Sequence, residues 1–577
     1  MVEIRVWAPN ARRVELDGND QVVKMTQGDA GWWSERVPFM DHGIDYGFRI
    51  DGEGPFPDPR SPWQPEGVHG PSRWVDHARF LWTDSGWQQP PLGSAVIYEL
   101  HIGTFTSEGT FDAAIDYLDH LTALGITHVE LMPVAEFSGE RGWGYDGVDL
   151  YAPHHAYGGP EGLKRLVNAC HQQGLAVVLD VVYNHLGPEG NHLHRFGPYF
   201  TQRYATPWGE AVNLDGAGSD EVRRFFIDNA LMWLRDYHVD GLRIDAVHAI
   251  VDTSAVHFLE QLADEVESLE ADIGRHLMLI AESDLNDPRV VRPREVGGYG
   301  MDAQWNEDFH HALHATLTGE QDGYYQDFGA LADLTKVLTR GFVYDGRYSA
   351  YRRRRHGRPA TGLSGHRFVG CLQNHDQVGN RALGERTSHL LSVEQLQIGA
   401  ALVLTSPFVP MLFQGEEWAA SSPFLYFTDH QDPELGEAVK RGRQEEFAAF
   451  GWEHDKLPDP QAKTTFLKSK LNWNEIHKEP HNTVLDWHQS LIQLRRWLSA
   501  VSDGRMERIS MRFDEAERWL IMIRPSVWVA CNFSAALQQI QCFDIKGKEV
   551  LLASKKGVFV EDGAILVPGE SVAVFVG

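Results

Sequence analysis

Residues 219–246 read SDEVRRFFIDNALMWLRDYHVDGLRIDA, a pattern typical of a helix followed by a strand. Ser219, Asp220 and Glu221 are the polar and acidic residues expected where a helix begins. Apolar side chains then recur at helical spacing, at Val222, Phe225, Phe226, Trp233 and Leu234. The short apolar run GLRI follows, and Asp245 comes immediately after it. The segment therefore predicts one helix–strand unit of an α/β fold.

The same alternation of strand and helix extends over several hundred residues around this segment. Runs such as LAVVLDVVY, at 175–183, are near-continuously apolar, as parallel strands covered on both faces should be. Eight such runs are predicted: AVIYEL, HVELMPV, LAVVLDVVY, GLRID, LMLIAE, MDAQW, RFVGCLQ and VPMLF. The predicted fold class is therefore α/β, a (β/α)₈ TIM barrel with an N-terminal β-sandwich and a C-terminal β-sandwich.

Start and stop signals predict where the first helices lie. Thr110 can cap a helix that ends at Gly125, and Pro160 can open a second helix that ends at Gly174. After the third strand no helical pattern is visible between about 184 and 218. We therefore predict a long irregular insertion at that point of the barrel.

A chain of 577 residues is too long for a single core and predicts several domains. Residues 1–90 contain short alternating runs separated by Asp and Gly turns, which predicts a β-sandwich resembling a carbohydrate-binding module. The strand–helix pattern occupies 91–500 and predicts the catalytic barrel. Residues 501–577 return to short alternating strands, which predicts the C-terminal β-sandwich.

The composition restricts the partners and the compartment. A net charge of −29 argues against binding to nucleic acid or to an anionic membrane, because both need a basic surface. It does not argue against a neutral sugar. The four cysteines are scattered without a CxxC pair, so buried thiols are predicted and not disulfides. Neither a signal peptide nor a membrane-spanning run is visible, and a cytoplasmic location is expected.

Three acids follow predicted strands: Asp245 after GLRI, Glu282 at the end of LMLIAE, and Asp376 in QNHDQ. The C-terminal ends of the strands in such a barrel meet at one mouth, so these carboxyl groups should converge. Arg243 lies two residues before Asp245 on the same strand face and should keep that acid ionised. The apolar setting of Glu282 should keep it protonated. A lone acid in this position is more often structural, but three together predict a retaining glycoside hydrolase.

These stretches resemble the α-amylase superfamily, glycoside hydrolase family 13. The four motifs of that family are matched by DVVYNH, GLRIDAVH, LIAES and QNHDQ. The resemblance implies that Asp245 is the nucleophile, Glu282 the acid/base and Asp376 the stabiliser of the transition state. It also implies substrate-binding roles, through sugar stacking or sugar hydroxyls, for the following residues: Tyr145, Asp180, His185, Arg243 and His375.

Four further stretches resemble those members of the family that release trehalose from malto-oligosyltrehalose. They are PDPRSPWQPEGVHGPS, TPWGEAVNLDG, QNHDQVGNRALGER and FQGEEWAASSPFLYFTDH. The resemblance implies hydrolysis of the α-1,4 bond next to the terminal trehalose, in sequence with a malto-oligosyltrehalose synthase. Aromatic rings stack on sugar faces, so substrate contacts are predicted at Trp143, Trp208 and Trp418. Trp305 and Phe424 are further candidates, and for any one of these rings core packing is about as plausible.

Two alternatives remain open at this point. A glycogen branching enzyme has a similar N-terminal domain, barrel and set of acids, but a sugar hydroxyl takes the place of water in its second step. A non-catalytic sugar-binding barrel is a different class, which the presence of all three acids disfavours. No metal or cofactor is predicted, because His192 and His194 lack a carboxylate or cysteine at ligand spacing. The basic run at 352–355 predicts a solvated loop or internal ion pairs.

Overall fold

The computed structural model describes residues 1–448 and 457–577. Within them, eight parallel strands close into a barrel in which each strand pairs with the next one along the chain and the last pairs with the first. This confirms the predicted TIM barrel. The strands are Ile97–Leu100, His128–Leu131, Ala176–Val181, Gly241–Ile244, Met278–Ala281, Ala303–Trp305, Phe368–Gly370 and Val409–Phe413.

Alternate side chains of these strands fill the barrel interior. Ile97, Val178 and Ile280 belong to one apolar cluster there, and residues of the opposite parity pack outward against the helices. The fit around Gly241 is close, because a Cβ atom at this position would lie 2.1 Å from the side chain of Met278. The closed, packed interior leaves the mouth at the strand ends as the place for polar groups.

Helices surround the barrel, and most of them are short. The helix predicted from Thr110 to Gly125 is in fact two helices, because Tyr117 leaves the helical conformation between them. Its predicted ends are nevertheless the observed ones, since Thr110 caps the first helix and Gly125 ends the second with a φ of 97°. The helices are Ile102–Phe105, Phe111–Ile115, Leu118–Leu124, Gly159–Gln172, Leu193–Phe196, Ser219–Asp236, Phe258–Ile273, Glu307–Thr318, Leu331–Arg340, His375–Gly379, Thr387–Leu390, Val393–Thr405, Pro433–Ala448, Lys463–Lys468, His481–Trp497 and Ser499–Ser502.

Three hairpins extend from the mouth of the barrel. The prediction that the insertion at 184–218 is irregular is wrong, because this segment contains the hairpin Phe200–Thr206 with Gly209–Val212. None of the side chains in its first strand is buried, so no alternation of buried apolar and exposed polar residues was available to reveal it. The other two hairpins are Ala135–Glu136 with Asp149–Pro153, and Asp345–Ser349 with Arg354–Gly357.

The N-terminal region forms two antiparallel sheets, as predicted. Trp7 and Trp33 from one sheet and Phe48 from the other join the large hydrophobic core of the protein. The two short strands at 53–56 and 72–73 had not been predicted. The strands are Val2–Trp7, Val14–Gly18, Gln21–Lys24, Thr26–Gln27, Trp32–Val37, Asp45–Ile50, Glu53–Phe56 and Ser72–Arg73.

The C-terminal region also forms two antiparallel sheets, of five and three strands, packed around a separate apolar cluster. The strands are Ser510–Asp514, Trp519–Ile523, Val527–Asn532, Gln538–Gln541, Glu549–Ala553, Phe559–Glu561, Ala564–Val567 and Ser571–Val576.

Two buried arginines hold the turn that precedes the last barrel strand, and one of them comes from the C-terminal region. Arg495 donates to the carbonyl oxygens of Leu404, Ser406 and Phe408, at 2.7–3.0 Å. Arg524, from the C-terminal sheet, donates to the carbonyl oxygen of the intervening Thr405 at 2.9 Å. The turn before the last barrel strand is therefore held from both sides.

All four cysteines are buried and unpaired, as predicted. No helix among the described residues combines the length and the apolar character needed to cross a membrane.

Candidate active site

The third, fourth and fifth barrel strands bring the predicted acids together. Asp180 pairs in register with Arg243 on the neighbouring strand. Beyond the strand ends, the amide of Asp245 donates to the carbonyl oxygen of Val181, and that of Glu282 to the carbonyl oxygen of Ile244, each at 3.0 Å. The side chains are thus positioned by the sheet itself and not by a flexible loop.

Arg243 lies at the centre of this group and is completely buried. Its Nη1 lies 2.7 Å from Asp180 Oδ2 and 3.0 Å from Asp245 Oδ1, and its Nη2 lies 2.9 Å from Glu282 Oε2. The guanidinium also lies 4.0 Å from the ring centre of Trp305, close enough for a cation–π contact. One cation therefore balances three carboxyl groups in a site from which water is largely excluded.

Glu282 has the environment of a proton donor. Burial raises its pKa, Arg243 opposes that effect and the charge of Asp245 adds to it. The amide of Ala246 donates to Glu282 Oε2 at 2.8 Å. Ala246 has a φ of 39°, an unusual conformation for alanine that places this amide beside the acid.

Asp245 is held through both of its carboxyl oxygens. Arg243 contacts Oδ1, and the side-chain amide of Asn184 donates to Oδ2 at 2.9 Å. Both partners are hydrogen-bond donors, so together they fix the orientation of the carboxyl group. The same-face relation of Arg243 and Asp245, predicted from their spacing, is observed.

Asp376 is in the first turn of the helix His375–Gly379, after the seventh strand. Asn374 caps this helix by accepting from the Asp376 amide at 2.9 Å, and Asn380 donates to Asp376 Oδ1 at 2.7 Å. Burial raises the pKa of Asp376, which His375 opposes and the charge of Glu282 reinforces. Asp376 follows the C-terminal end of the seventh strand, which places it at the same mouth as Glu282.

His375 and Tyr145 form a hydrogen-bonded chain on the other side of the mouth. The Tyr145 hydroxyl lies 2.6 Å from Asp180 Oδ2 and 2.9 Å from His375 Nε2, and His375 Nδ1 lies 2.5 Å from Glu99 Oε1. Burial lowers the pKa of His375, but the Glu99 carboxylate raises it by a larger amount. The pKa of His375 is therefore raised above its usual value. The Tyr145 ring stacks on His375 with centres 5.1 Å apart.

His185 connects the site to the insertion hairpin. Its Nε2 lies 3.0 Å from the Tyr145 carbonyl oxygen, and its Nδ1 contacts the side-chain oxygen of Asn184. Its ring stacks on Trp208, nearly parallel and 4.7 Å away. Burial lowers the pKa of His185, which favours the neutral imidazole.

The predicted aromatic contacts differ sharply in exposure. Trp208, at the tip of the insertion hairpin, is 47% exposed and can meet a sugar. Trp418 is 0% exposed and packs against Trp473, so its predicted substrate contact is wrong. Phe424 is also 0% exposed, and Trp305 lies beneath Arg243.

Trp143 is buried too, and its predicted substrate contact is not supported. It is 6% exposed, stacks on Phe424 and donates to the carbonyl oxygen of Leu425 at 2.9 Å. Its ring meets His375 edge-on at 5.6 Å. Trp143 is therefore placed to support His375 from behind.

The contrast between Trp208 and Trp418 predicts opposite effects of truncation. We expect Trp418→Ala to destabilise the protein by about 3–5 kcal/mol, because it leaves a cavity in the core. Trp208→Ala should change stability by less than about 0.5 kcal/mol but raise KM by about three- to tenfold, the cost of one aromatic contact. Urea unfolding and steady-state kinetics of the two variants test this. An unchanged KM for Trp208→Ala would remove Trp208 from the substrate contacts.

Several polar residues of the site were not predicted. Glu99 holds His375, Asn184 and Asn380 orient the acids, and Asn374 caps the helix of Asp376. The cap could have been recognised, since Asn before a short helix is a common signal. Glu99, in contrast, looked like one residue of an apolar strand.

The basic run contributes an internal ion pair, one of the two outcomes expected for it. Arg352 lies 3.0 Å from Asp284, two residues after Glu282, and the His356 ring lies 2.7 Å from the Asp284 carbonyl oxygen. The hairpin at 345–357 thus covers the loop that follows the acid.

Comparisons with known proteins agree with this geometry. The sequence model for the alpha-amylase catalytic domain matches residues 77–204, and that for carbohydrate-binding module 48, the isoamylase N-terminal domain, matches 1–64. The chain is 54% identical over 507 residues to the malto-oligosyltrehalose trehalohydrolase of Arthrobacter ramosus, covering 87% of this chain and 88% of that protein. It is 50% identical over 557 residues to the enzyme of the same name from Mycobacterium tuberculosis, covering 96% and 95%.

Two further comparisons bear on the fold and on the alternative reaction. A Salmonella typhimurium protein crystallised as an alpha-amylase candidate superposes with a TM-score of 0.91 at 38% identity, covering 100% of this chain and 97% of that one. The 1,4-alpha-glucan branching enzyme of Bacillus caldolyticus is 34% identical over 342 residues, which cover 52% of this chain and 50% of that enzyme.

Proposed function

The chain belongs to the malto-oligosyltrehalose trehalohydrolase family, and from this membership we propose that it hydrolyses the α-1,4 bond next to the terminal trehalose of malto-oligosyltrehalose. The products are free trehalose and a malto-oligosaccharide. The observation that supports this most directly is the buried Arg243, which contacts both Asp245 and Glu282. Retaining hydrolysis requires two carboxyl groups held close together, and the shared arginine holds these two side by side.

In the first step, a carboxylate oxygen of Asp245 attacks the anomeric carbon of the glucose that precedes the trehalose unit. Glu282 donates its proton to the glycosidic oxygen, and trehalose leaves with the bonding electron pair. Asp245 is then joined to the malto-oligosaccharide by an ester bond. Arg243 and Asn184 donate to the two carboxyl oxygens of Asp245 and hold this side chain in position for the attack.

In the second step, Glu282 acts as a base. It removes a proton from water, the resulting hydroxide oxygen bonds to the anomeric carbon, and the ester bond to Asp245 breaks. Asp245 and Glu282 return to their starting protonation states. The two inversions leave the anomeric configuration of the sugar unchanged.

We assign the remaining polar groups to binding and to stabilisation of the sugar at the cleavage point. Asp376 would accept hydrogen bonds from the hydroxyl groups of this sugar, and His375 would donate a hydrogen bond to one of them. These hydrogen bonds would strengthen as the sugar ring flattens in the transition state. Tyr145, fixed by Asp180 and His375, would present its ring to the sugar face. His185 and Trp208 form a stacked pair on the insertion side and would bind a neighbouring unit.

The alternative is transfer to a sugar hydroxyl in place of water, as in a glycogen branching enzyme. The acids do not separate the two reactions, because the outcome depends on what occupies the acceptor position. The likeness to trehalohydrolases covers nearly the whole chain, whereas the likeness to a branching enzyme covers about half of it. The wider likeness favours hydrolysis.

Product analysis decides between these reactions. The protein is incubated separately with maltotriosyltrehalose and with amylose, and the products are separated by anion-exchange chromatography. Free trehalose with maltotriose from the first substrate supports the proposal. Branched glucan from amylose, without trehalose from the first substrate, would overturn it. Glu282→Gln serves as the control for contaminating activity.

The pH dependence of the reaction should follow the protonation of Glu282. Because burial raises the pKa of this acid, it stays protonated above the usual range of glutamate, about 4.3. We expect kcat/KM to fall as the pH rises through that raised pKa, since the ionised form cannot donate a proton. A pH–rate profile with maltotriosyltrehalose measures this limb. A fall centred on the ordinary glutamate value would contradict the assignment.

The cellular setting follows from the substrate. We propose a cytoplasmic enzyme that acts after a malto-oligosyltrehalose synthase, because that reaction must supply the trehalose end. The four unpaired cysteines suit a reducing compartment. We also propose that residues 1–90 and 501–577 form accessory β-domains around a catalytic unit at 91–500, which the module match at 1–64 supports.

A further inference from the structure

The hairpin after the second barrel strand has two histidines and a glutamate at its base. Glu136 ends the first strand of the hairpin, and His154 and His155 follow directly after its second strand, Asp149–Pro153. One nitrogen or oxygen atom from each of the three side chains lies within 4.8 Å of the others. The loop between the strands contains Trp143 and Tyr145.

The contacts within this group are close and mostly buried. Glu136 Oε1 lies 2.7 Å from His155 Nδ1 and 3.1 Å from His154 Nδ1. Glu136 and His154 are fully buried, and the His155 side chain is 25% exposed. Glu136 Oε2 accepts from the backbone amide of His155 at 2.8 Å, which fixes the carboxylate. Three side-chain atoms of the kind that bind metal ions therefore lie close together, and the group is open to solvent only on the side of His155.

The buried His154 is the observation that hydrogen bonds within the protein do not explain. Its Nε2 has no hydrogen-bond partner among the described residues, and its Nδ1 lies 3.1 Å from Glu136 Oε1 with poor hydrogen-bonding geometry. The ring is held in place by stacking on Phe137 at 3.8 Å. Buried polar atoms of this kind are uncommon in proteins and call for a partner.

We propose that Glu136, His154 and His155 bind a Zn²⁺ ion. Two imidazoles and one carboxylate are ligands that Zn²⁺ accepts readily, whereas Ca²⁺ and Mg²⁺ prefer all-oxygen sites. In a tetrahedral zinc site, bonds of about 2.0–2.1 Å place neighbouring ligand atoms about 3.4 Å apart. The contacts of Glu136 Oε1 with His155 Nδ1, at 2.7 Å, and with His154 Nδ1, at 3.1 Å, need to lengthen to about 3.4 Å. The exposed side of His155 leaves room for a water as the fourth ligand.

The proposed ion would fasten the hairpin at its base, and it takes part in no step of the reaction. Glu136 ends the first strand of the hairpin and the two histidines follow the second, so a shared ion connects the two sides of the hairpin that carries the loop at 137–148. That loop contains Tyr145, whose hydroxyl contacts Asp180. Zinc should therefore order the loop whether or not the proposed reaction is correct.

Binding is tested on the full-length protein after treatment with EDTA and removal of the chelator. Titration with ZnCl₂, followed by calorimetry, should reveal one tight site per chain. His155→Ala should weaken this binding by more than about tenfold, and Glu136→Gln likewise. His155→Ala keeps the experiment interpretable if the buried glutamate variant folds poorly, since His155 is partly exposed. His194→Ala, an exposed histidine outside the cluster, is the matched control and should bind as the unaltered protein does.

Two further measurements test the coordination geometry of the bound ion and its effect on the loop at 137–148. Co²⁺ in place of Zn²⁺ should give the strong visible absorption of a four-coordinate ion, absent in His155→Ala. Hydrogen exchange at 137–148 should slow on addition of zinc. The absence of saturable zinc binding, or equal binding by His155→Ala and the unaltered protein, overturns the site and leaves Glu136 as a hydrogen-bond acceptor for His155.

Discussion

Asp245→Asn is expected to lower kcat on maltotriosyltrehalose by about 10⁴-fold or more, the range seen when an enzyme loses its nucleophile. The amide has nearly the shape of the carboxylate and can still accept from Arg243, so the site should remain assembled. It cannot form the ester intermediate. Initial rates of trehalose release, measured beside thermal unfolding of the same sample, test the expectation.

The matched control for this variant is Asp287→Asn. Asp287 lies in the loop after the fifth strand and pairs with Arg289 at 2.7 Å, away from the contacts of Arg243. Asp287 is buried, but its ion pairs are with Arg289 and Arg358 and not with Arg243, so the change should keep kcat within about twofold. If Asp245→Asn retained more than about 1% of the activity while Asp287→Asn behaved normally, the nucleophile would have to be another group.

Glu282→Gln is expected to lower kcat by about 10²–10⁴-fold, the usual contribution of a general acid. The loss should depend on the leaving group, because glutamine cannot protonate trehalose. Release of fluoride from maltosyl fluoride needs no such proton, so formation of the Asp245 ester should be much less affected. Rapid-quench measurement of the two substrates separates the two requirements.

Azide provides the complementary test for Glu282. As an anion it attacks the ester intermediate without help from a base, so it should speed the second step of Glu282→Gln and yield a maltosyl azide. The retained anomeric configuration of that azide would agree with two inversions. An equal loss for both substrates, with no effect of azide, would show that Glu282 has a structural task instead.

The barrel could be predicted from the sequence because its signals are local and repeated. A parallel strand covered on both faces has to be apolar along most of its length, and all eight predicted strands are present. The hairpin of the insertion escaped prediction because Gln202 and Arg203 face solvent, so that strand has no apolar face. A strand stabilised by its partner and not by the core leaves little trace in its own sequence.

The acids of the site could be located, but the exposure of the aromatic residues could not. Spacing along a strand determines which side chains share a face, and that was enough to relate Asp245 to Arg243. Whether Trp208 or Trp418 meets a sugar depends on residues distant in the chain. Trp208 is exposed at the tip of a hairpin, and Trp473, 55 residues further on, covers Trp418.

Partners from distant strands were equally invisible. Glu99 reaches His375 across the closure of the barrel, a separation of 276 residues along the chain. Only a specified strand order could have suggested that they meet. Because burying an unpaired charge is costly, a buried histidine such as His375 needs a partner, but this cost does not identify which residue that partner is.

The arginines that hold the turn at 404–408 have a consequence for the order of events during synthesis. Arg524, which is made after the last barrel strand, supplies a hydrogen bond to Thr405, just before that strand. During synthesis the turn at 404–408 therefore lacks the hydrogen bond from Arg524 until the C-terminal sheet has been made. Folding from the N-terminus on the ribosome would leave the final strand last to settle, and with it the contact that joins Glu99 to His375.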